Sequence, residues 1–418
     1  ELFHQRALPD LGSNIKCGNS LIGPDFHQGR QLDMFSDEDK YRINAFDWQA
    51  EFPEIFKAGG FDAIIGNPPY IPIELMSEPE KSYYQSKHTQ LERKYDSALV
   101  FILAMLGKLQ KNGRLGFISS VTWQTGENYT KLREHLFTKT GIETLINLPF
   151  DIFKDAYVDT GVYILTAKPT ARYSIYRFPK KETLLKIENI PLTIVPSNLI
   201  LAPDYKVILD PKACQILQRA LDSKEFEQLG EFTISTQGLA GNRFQTADSA
   251  KNGDWHPFLQ KGQARRYDLE MEDILFADMS DKPSLMRFYK AVPKLLVRRV
   301  ISRQDRLLTA FTDRKLVFKK DINPFILTNG TWNVFFVLGI LNSRLLSYLY
   351  VNTSSIATKD DFRQTTLAEL RRLPIPKLFK GDSRHDRIVA MVERMLDLHK
   401  KIQTAKTPDE KTRLERQI

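Results

Sequence analysis

The chain of 418 residues reads as an α/β protein followed by a basic α+β part, and three observations lead there. An apolar run, Phe61-Asp62-Ala63-Ile64-Ile65-Gly66, stops abruptly at Asn67-Pro68-Pro69-Tyr70, as a short buried strand entering a stiff loop would. Residues 97–109 place Leu99, Phe101, Ile102, Met105, Leu106 and Leu109 at helical spacing. After a turn at Lys111-Asn112-Gly113, the run Arg114-Leu115-Gly116-Phe117-Ile118-Ser119-Ser120 reads as the next strand, which completes a crossover unit of a parallel sheet. Finally, residues 261–320 hold fifteen Lys and Arg against eight Asp and Glu, which sets the later half apart.

The remaining elements follow in order. Residues 143–149 and 160–167 are two more strand-like runs. Residues 173–230 carry Pro179, Pro191, Pro196, Pro203 and Pro211 between short elements and read as a connector. Within it, Asp204, Asp210 and Lys212 loosely match a nuclease pattern, a chance match given the tight spacing and the intervening Pro211. In 293–306 apolar residues alternate into Arg298, Arg299, Arg303 and Arg306, as a strand with basic residues at one end would. Residues 331–351 read as one buried helix. Leu373-Pro374-Ile375-Pro376 is a helix stop, and 386–402 is an amphipathic helix. The segments expected are 1–172, 173–230, 231–378 and 379–418.

Composition bounds the function. Hydrophobic residues make up 42% of the chain, enough for two or three cores. Two cysteines form no disulfide framework, and seven histidines show no zinc spacing, so no metal is expected. There is no secretory pattern and no unbroken apolar run long enough to span a bilayer, so a cytoplasmic protein without a membrane partner is expected. A net charge of +9 and a pI near 9.2 favour a polyanionic partner.

The loop after the first strand suits one chemical task. The Asn67 side-chain oxygen and the Pro68 carbonyl can each accept one N–H of a planar amine, aiming its lone pair at an incoming methyl group. Both acceptors are neutral, so this is positioning and preorganised electrostatics rather than general-base catalysis. Pro69 brings no competing N–H, and Tyr70 can stack on a base face.

These residues resemble motif IV of the amino-group DNA methyltransferases, in particular the large adenine methylases of type IIG restriction–modification enzymes and their phage-defence relatives. Asn14 to Leu21 resembles the motif III strand and turn, with Asn19 at the position that reaches the adenine of S-adenosylmethionine, where the family more often has Asp. Phe46-Asp47-Trp48 and Phe52-Pro53-Glu54-Ile55-Phe56 resemble the aromatic approach to motif IV. Asp96 stands where the motif V helix begins, as a cap and as a contact to cofactor or loop. Phe150 to Ala156 resembles the motif VIII loop, which implies an aromatic on the flipped base opposite Tyr70; Phe153 matches that role, with Phe150 as competitor. Phe232 to Gly238 with Gly241-Asn242-Arg243-Phe244, and Trp332 through Pro376, resemble target-recognition domains, which implies duplex DNA contact by Arg243, Arg298, Arg299, Arg303 and Arg306.

The resemblance implies an S-adenosylmethionine-dependent, Rossmann-like sheet, an α+β recognition domain and a C-terminal helix. The family's glycine-rich turn and the acidic ribose ligand have no counterpart before Asn19. They are expected upstream in the same polypeptide, and the chain is read as a fragment that does not transfer methyl by itself. Two other readings stay open at this point: a non-catalytic DNA-specificity module, and a protein glutamine methyltransferase, which shares the Asn-Pro-Pro-Tyr site.

Overall fold

In a computed structural model the described residues are 11–27, 37–149, 152–153, 159–178, 190–200, 203–240, 244–354, 363–405 and 407–417. The chain divides into two compact units, Glu1–Val207 and Ile208–Ile418.

The first unit is built on a mixed, Rossmann-like sheet. Its strands are β1 (Phe61–Gly66), β2 (Leu109–Ser120), β3 (Gly141–Asn147), β4 (Thr160–Thr166), β5 (Arg172–Arg177) and β6 (Thr193–Pro196). Their order across the sheet is β1-β2-β4-β3-β5-β6. β1 and β2 run parallel, as the crossover reading requires, and β4 inserts antiparallel between β2 and β3. The carboxyl ends of β1, β2 and β3 therefore share one edge of the sheet. The sheet continues past residue 172, because β5 pairs in parallel with β3 and β6 pairs with β5.

The crossover passes through α1 (Glu78–Lys87) and α2 (Ser97–Leu106), with α3 (Thr130–Thr138) following β2. A complete capping box starts α1, with Ser77 and Glu80 satisfying each other's backbone N–H. Asp96 caps α2, its carboxylate accepting the Leu99 N–H at 3.1 Å. Leu99, Ile102, Leu103, Met105 and Leu106 of α2 are buried, so this helix is held by packing rather than by propensity.

Three sequence expectations are corrected here. Lys111-Asn112-Gly113 is no turn between elements: β2 already begins at Leu109, and the register slips between Phe61↔Leu109 and Ala63↔Arg114, so the three residues form a bulge inside the strand. Gly113 makes it possible, since a Cβ there would lie 2.6 Å from the Phe61 carbonyl oxygen. β1 is not a fully buried strand, because Ile65 is 89% exposed and β2 is its one strand neighbour among the described residues. The expected motif III strand reduces to a single parallel bridge, Asn19↔Ala45, with Ile15 largely exposed.

The second unit opens with α4 (Pro211–Asp222), capped by Asp210, which also accepts the Tyr348 hydroxyl. Asp210 thus has a structural duty. The strands β7 (Phe226–Gln228), β8 (Thr233–Ser235), β9 (Thr246–Ala247), β10 (Trp255–Ala264), β11 (Leu269–Asp278), β12 (Lys294–Arg298), β13 (Thr309–Thr312), β14 (Ile322–Leu327) and β15 (Pro374–Pro376) form three antiparallel groups. Their orders are β13-β12-β14-β8, β10-β11-β9 and β15-β7. The proline stop at 373–376 is itself a strand; two prolines are tolerated because the β15–β7 ribbon has only one ladder.

The apolar stretch 331–351 is two helices, α5 (Val334–Leu341) and α6 (Arg344–Thr353), bent by 57°. The break has a polar cause. Asn342, fully buried, accepts the Thr309 N–H at 3.0 Å and donates to the Thr309 carbonyl at 2.8 Å. Ser343 then caps α6 through the Leu346 N–H. No single helix among the described residues is long and apolar enough to cross a membrane. The amphipathic helix α7 (Ser383–Thr404) lies where expected.

Candidate functional site

The strand β1 and the turn after it are held at three points. Phe46, Trp48, Phe52 and Phe56 surround the start of the strand, and Trp48, Phe52 and Phe56 each pack against the ring of Phe61 with centroids 5.7–5.8 Å apart. At its other end, a Cβ on Gly66 would come within 2.9 Å of the Phe117 ring, so glycine lets β2 pack tightly just before Asn67. Beyond it, Ser97 donates to the Pro69 carbonyl at 2.5 Å and accepts the Ile71 N–H at 3.0 Å, while its own N–H goes to the Ile71 carbonyl.

The tyrosine hydroxyl completes the lock. Tyr70 Oη lies 3.2 Å from Asn67 Oδ1 and 3.2 Å from the Ile118 carbonyl of β2. Burial raises the Tyr70 phenol above its ordinary value, and the Asp96 carboxylate adds to this, so the hydroxyl stays a donor at neutral pH. Below it, the fully buried Tyr163 bonds the Ser119 carbonyl at 2.8 Å and the Ser120 carbonyl at 2.5 Å, fixing the end of β2.

The result is an asymmetric pair of acceptors. Asn67 is exposed, Pro68 is buried, and among the described residues no donor occupies the Pro68 carbonyl, whereas the next carbonyl, that of Pro69, is taken by Ser97. Such an edge can accept two N–H groups from a flat ligand without moving a charge.

The other expected site residues divide. Phe153 follows β3 and is half-buried, while its neighbour Ile152 packs on Ile146, Leu148 and Phe178. Phe150 and Arg243 lie outside the described residues. Asn19 uses its Oδ1 to accept the Leu21 N–H at 3.1 Å, leaving its amide NH2 to offer. Asp96 keeps one carboxylate oxygen beyond its capping bond, and burial raises its pKa. A cleft of about 710 Å³ lined by Trp48, His88, Lys108 and His135 lies at the Phe61 end of β1, away from the turn.

Sequence reading missed Ser97 and Tyr163. Asp96-Ser97 reads as a plain helix cap, which hides the serine's second role, and Tyr163 is one more aromatic in a strand.

In the second unit the basic residues separate in the same way. Arg298, at the end of β12, and Arg303 line a cleft of about 860 Å³ together with Gln263, Arg265, Arg266, Tyr267, Leu308, Met395 and His399. Arg299 and Arg306 do not line it. Arg306 donates to the Asn342 carbonyl at 2.6 Å and lies 3.4 Å from Ser347 Oγ, holding the α5–α6 break.

Comparison with known proteins agrees with this division. Residues 6–153 match the Eco57I restriction-modification methylase family, and residues 257–375 match the TaqI-like C-terminal specificity domain. A relative in Methanocaldococcus jannaschii, described as a putative type II restriction enzyme and methyltransferase, is 36% identical over 81% of this chain and 29% of its own length. The type II restriction enzyme and methyltransferase RM.Eco57I of Escherichia coli is 29% identical over 57% of this chain and 22% of its own. The chain thus spans less than a third of the length of these relatives. Among solved structures, the type IIL restriction-modification enzyme MmeI shares the fold, with a TM-score of 0.52 at 13% identity over 91% of this chain and 58% of the other. The chain therefore carries a restriction–modification methylase segment and a specificity-domain segment, and the methylase match implies S-adenosylmethionine as methyl donor.

Proposed function

We propose that this chain, with its methylase and specificity segments, holds the target-amine site of a DNA methyltransferase acting on N6 of adenine in duplex DNA, within a restriction–modification or phage-defence system. The observation that carries the reading is the pair of neutral acceptors at one sheet edge, Asn67 Oδ1 steadied by Tyr70 Oη and the open Pro68 carbonyl. An exocyclic amine presents two N–H groups in one plane, and accepting both draws its nitrogen toward the tetrahedral geometry that methyl transfer needs. Because the ring conjugates the lone pair, this orientation is the chemistry the protein must supply.

S-adenosylmethionine supplies the methyl group when bound. The free amide of Asn19 and the second oxygen of Asp96 are the groups of this chain we assign to it. A base inside a duplex must first leave the stack, and Tyr70 and Phe153 are assigned to its two faces. The basic second unit holds the duplex by its phosphates and reads its edges.

A protein glutamine methyltransferase would need no basic specificity segment, and the match over residues 257–375 counts against it. The test is product analysis. A form of the enzyme competent for methyl transfer should leave N6-methyladenine in unmethylated duplex DNA, and 2-aminopurine at the target should brighten on binding unless Tyr70 or Phe153 is changed to Ala. Label in cytosine or in protein alone would overturn the reading. An unaltered 2-aminopurine signal in the Phe153→Ala variant would move that role to Phe150.

A further inference from the structure

The second unit contains a cluster that the motifs explain only in part, through Arg298 and Arg303. Its cleft of about 860 Å³ is walled by the β10–β11 turn (Arg265, Arg266, Tyr267), the end of β12 with its following turn (Arg298, Arg303) and α7 (Met395, His399). Four guanidinium groups line it and, among the described residues, no carboxylate does.

The charges are only partly compensated from within: Glu270 pairs with Arg265 and also lies within electrostatic reach of Arg298. Of the four, Arg265 alone is held by an acid, through a two-pronged contact with Glu270 at 3.0 Å on each arm. The guanidinium of Arg266 lies 5.5 Å from the Tyr267 ring centroid, yet its Nε is buried with no hydrogen-bond partner. His399 Nε2, one turn along α7 from Met395, is also buried without a partner. The nearby Asp268 is engaged by Gln403 at 2.9 Å. Among the described residues the side chains of Arg298 and Arg303 make no hydrogen bond or ion pair. Two buried nitrogens without partners, in facing walls of one cationic cleft, are costly unless a ligand bonds them.

We propose that this cleft binds a backbone phosphate of a DNA strand, gripped by Arg266, Arg298 and Arg303 with His399 as a further donor, and that α7 is therefore part of the DNA interface. The inference rests on the reading that the chain binds duplex DNA, and it extends that interface beyond residue 378 to the amphipathic helix α7. A phosphate oxygen is the ligand that fits best: a compact anion accepts from several forked donors at once. An adenine or cytosine edge would require an acceptor in the wall for its amino group, and Gln263 is the single amide there, while a guanine edge offers two acceptors in one plane, too few for donors that converge from three walls.

Binding of a duplex to the 418-residue chain, followed across salt concentrations, tests this. Each phosphate contact contributes about 0.9 to the slope of log affinity against log salt. The double variant Arg266→Ala/His399→Ala should lower the slope by about one, with the same melting behaviour as the parent, while Lys400→Ala, an exposed charge on the same helix, should leave it nearly unchanged. In the parent protein, millimolar inorganic phosphate should shift the His399 ring resonances, and a stoichiometric duplex should abolish that response. An unchanged slope in the double variant would overturn the cleft assignment while leaving duplex binding intact. Phosphate binding that the duplex does not displace would overturn it too, in favour of a free phosphate or nucleotide. Absence of any duplex binding at low salt would instead overturn the proposed function on which it rests.

Discussion

The turn after β1 and the cleft beside β12 both prepare polar groups for a ligand, and they do so in opposite ways. At the turn, the polar groups are neutral and mutually bonded: Ser97 holds the Pro69 carbonyl, and Tyr70 holds Asn67. In the cleft, the groups are cationic and mostly unpaired, with Arg265 alone held by an acid. A reacting atom must be placed to within a fraction of an ångström, so its partners are fixed before it arrives. A polyanion needs only a field and several donors, and that can be tolerant of position. One region should therefore fail sharply on single changes, and the other gradually.

The sharpest way to test that contrast is Asn67→Ala. It removes an acceptor that acts on the reacting amine and touches no phosphate contact. Single-turnover methyl transfer in a competent form of the enzyme should fall on the order of 100- to 1000-fold, with duplex affinity nearly unchanged. A rate within a few-fold of the parent would place the amine elsewhere.

Next in size is a stability effect that separates Arg306 from its neighbours. Asn342 satisfies both backbone groups of Thr309 from a fully buried position, and Arg306 bonds the Asn342 carbonyl. Asn342→Ala would leave the buried Thr309 N–H unpaired, while the Thr309 carbonyl keeps the Tyr267 N–H, a loss of roughly 1–3 kcal/mol in urea unfolding. Arg306→Ala should lower stability in the same direction by less. Arg298→Ala should leave stability unchanged and weaken duplex binding by about 1–2 kcal/mol, whereas Arg299→Ala, outside the cleft, should weaken it less. Equal losses of affinity from both would return the interface to a diffuse basic face.

How much of this was legible beforehand follows from the same difference. Asn67-Pro68-Pro69-Tyr70 could be read because prolines, an amide and a ring in fixed order dictate local geometry, and the crossover through α2 could be read from its apolar spacing. Ser97 could not, because its partner carbonyl is 28 positions away in sequence and reaches it only through the fold. The split of 331–351 was hidden because hydropathy reports burial, not direction, and the break depends on Asn342 finding Thr309 across the core. Arg298, Arg299, Arg303 and Arg306 look alike as charge. Their sorting into cleft wall and helix brace needs Met395 and His399 on one side and Ser347 on the other.

The smallest expected effect is a pH dependence that should appear in one region and be absent from the other. At the turn the phenol of Tyr70 is raised by burial and by Asp96, so nothing on that hydroxyl titrates between pH 5 and 8. In the cleft, burial lowers the His399 pKa, Asp268 partly opposes this and Arg266 reinforces it, so the ring is neutral at pH 7. Acidification protonates it below the ordinary histidine value and adds one positive charge to a wall that already holds Arg265, Arg266, Arg298 and Arg303. Duplex affinity should therefore rise as pH falls from 7 toward 5, by about 1 kcal/mol, or roughly five-fold, for one partly screened charge. The sign for folding is the reverse: the unfolded chain takes that proton first, so the neutral ring's contribution to stability is lost over the same acid range. His399→Gln, which keeps a donor without titrating, should flatten both responses and leave affinity at pH 7.5 nearly unaltered. If the variant binds with the parent's pH profile, the ring does not meet the phosphate, and the cleft's grip is that of its arginines alone.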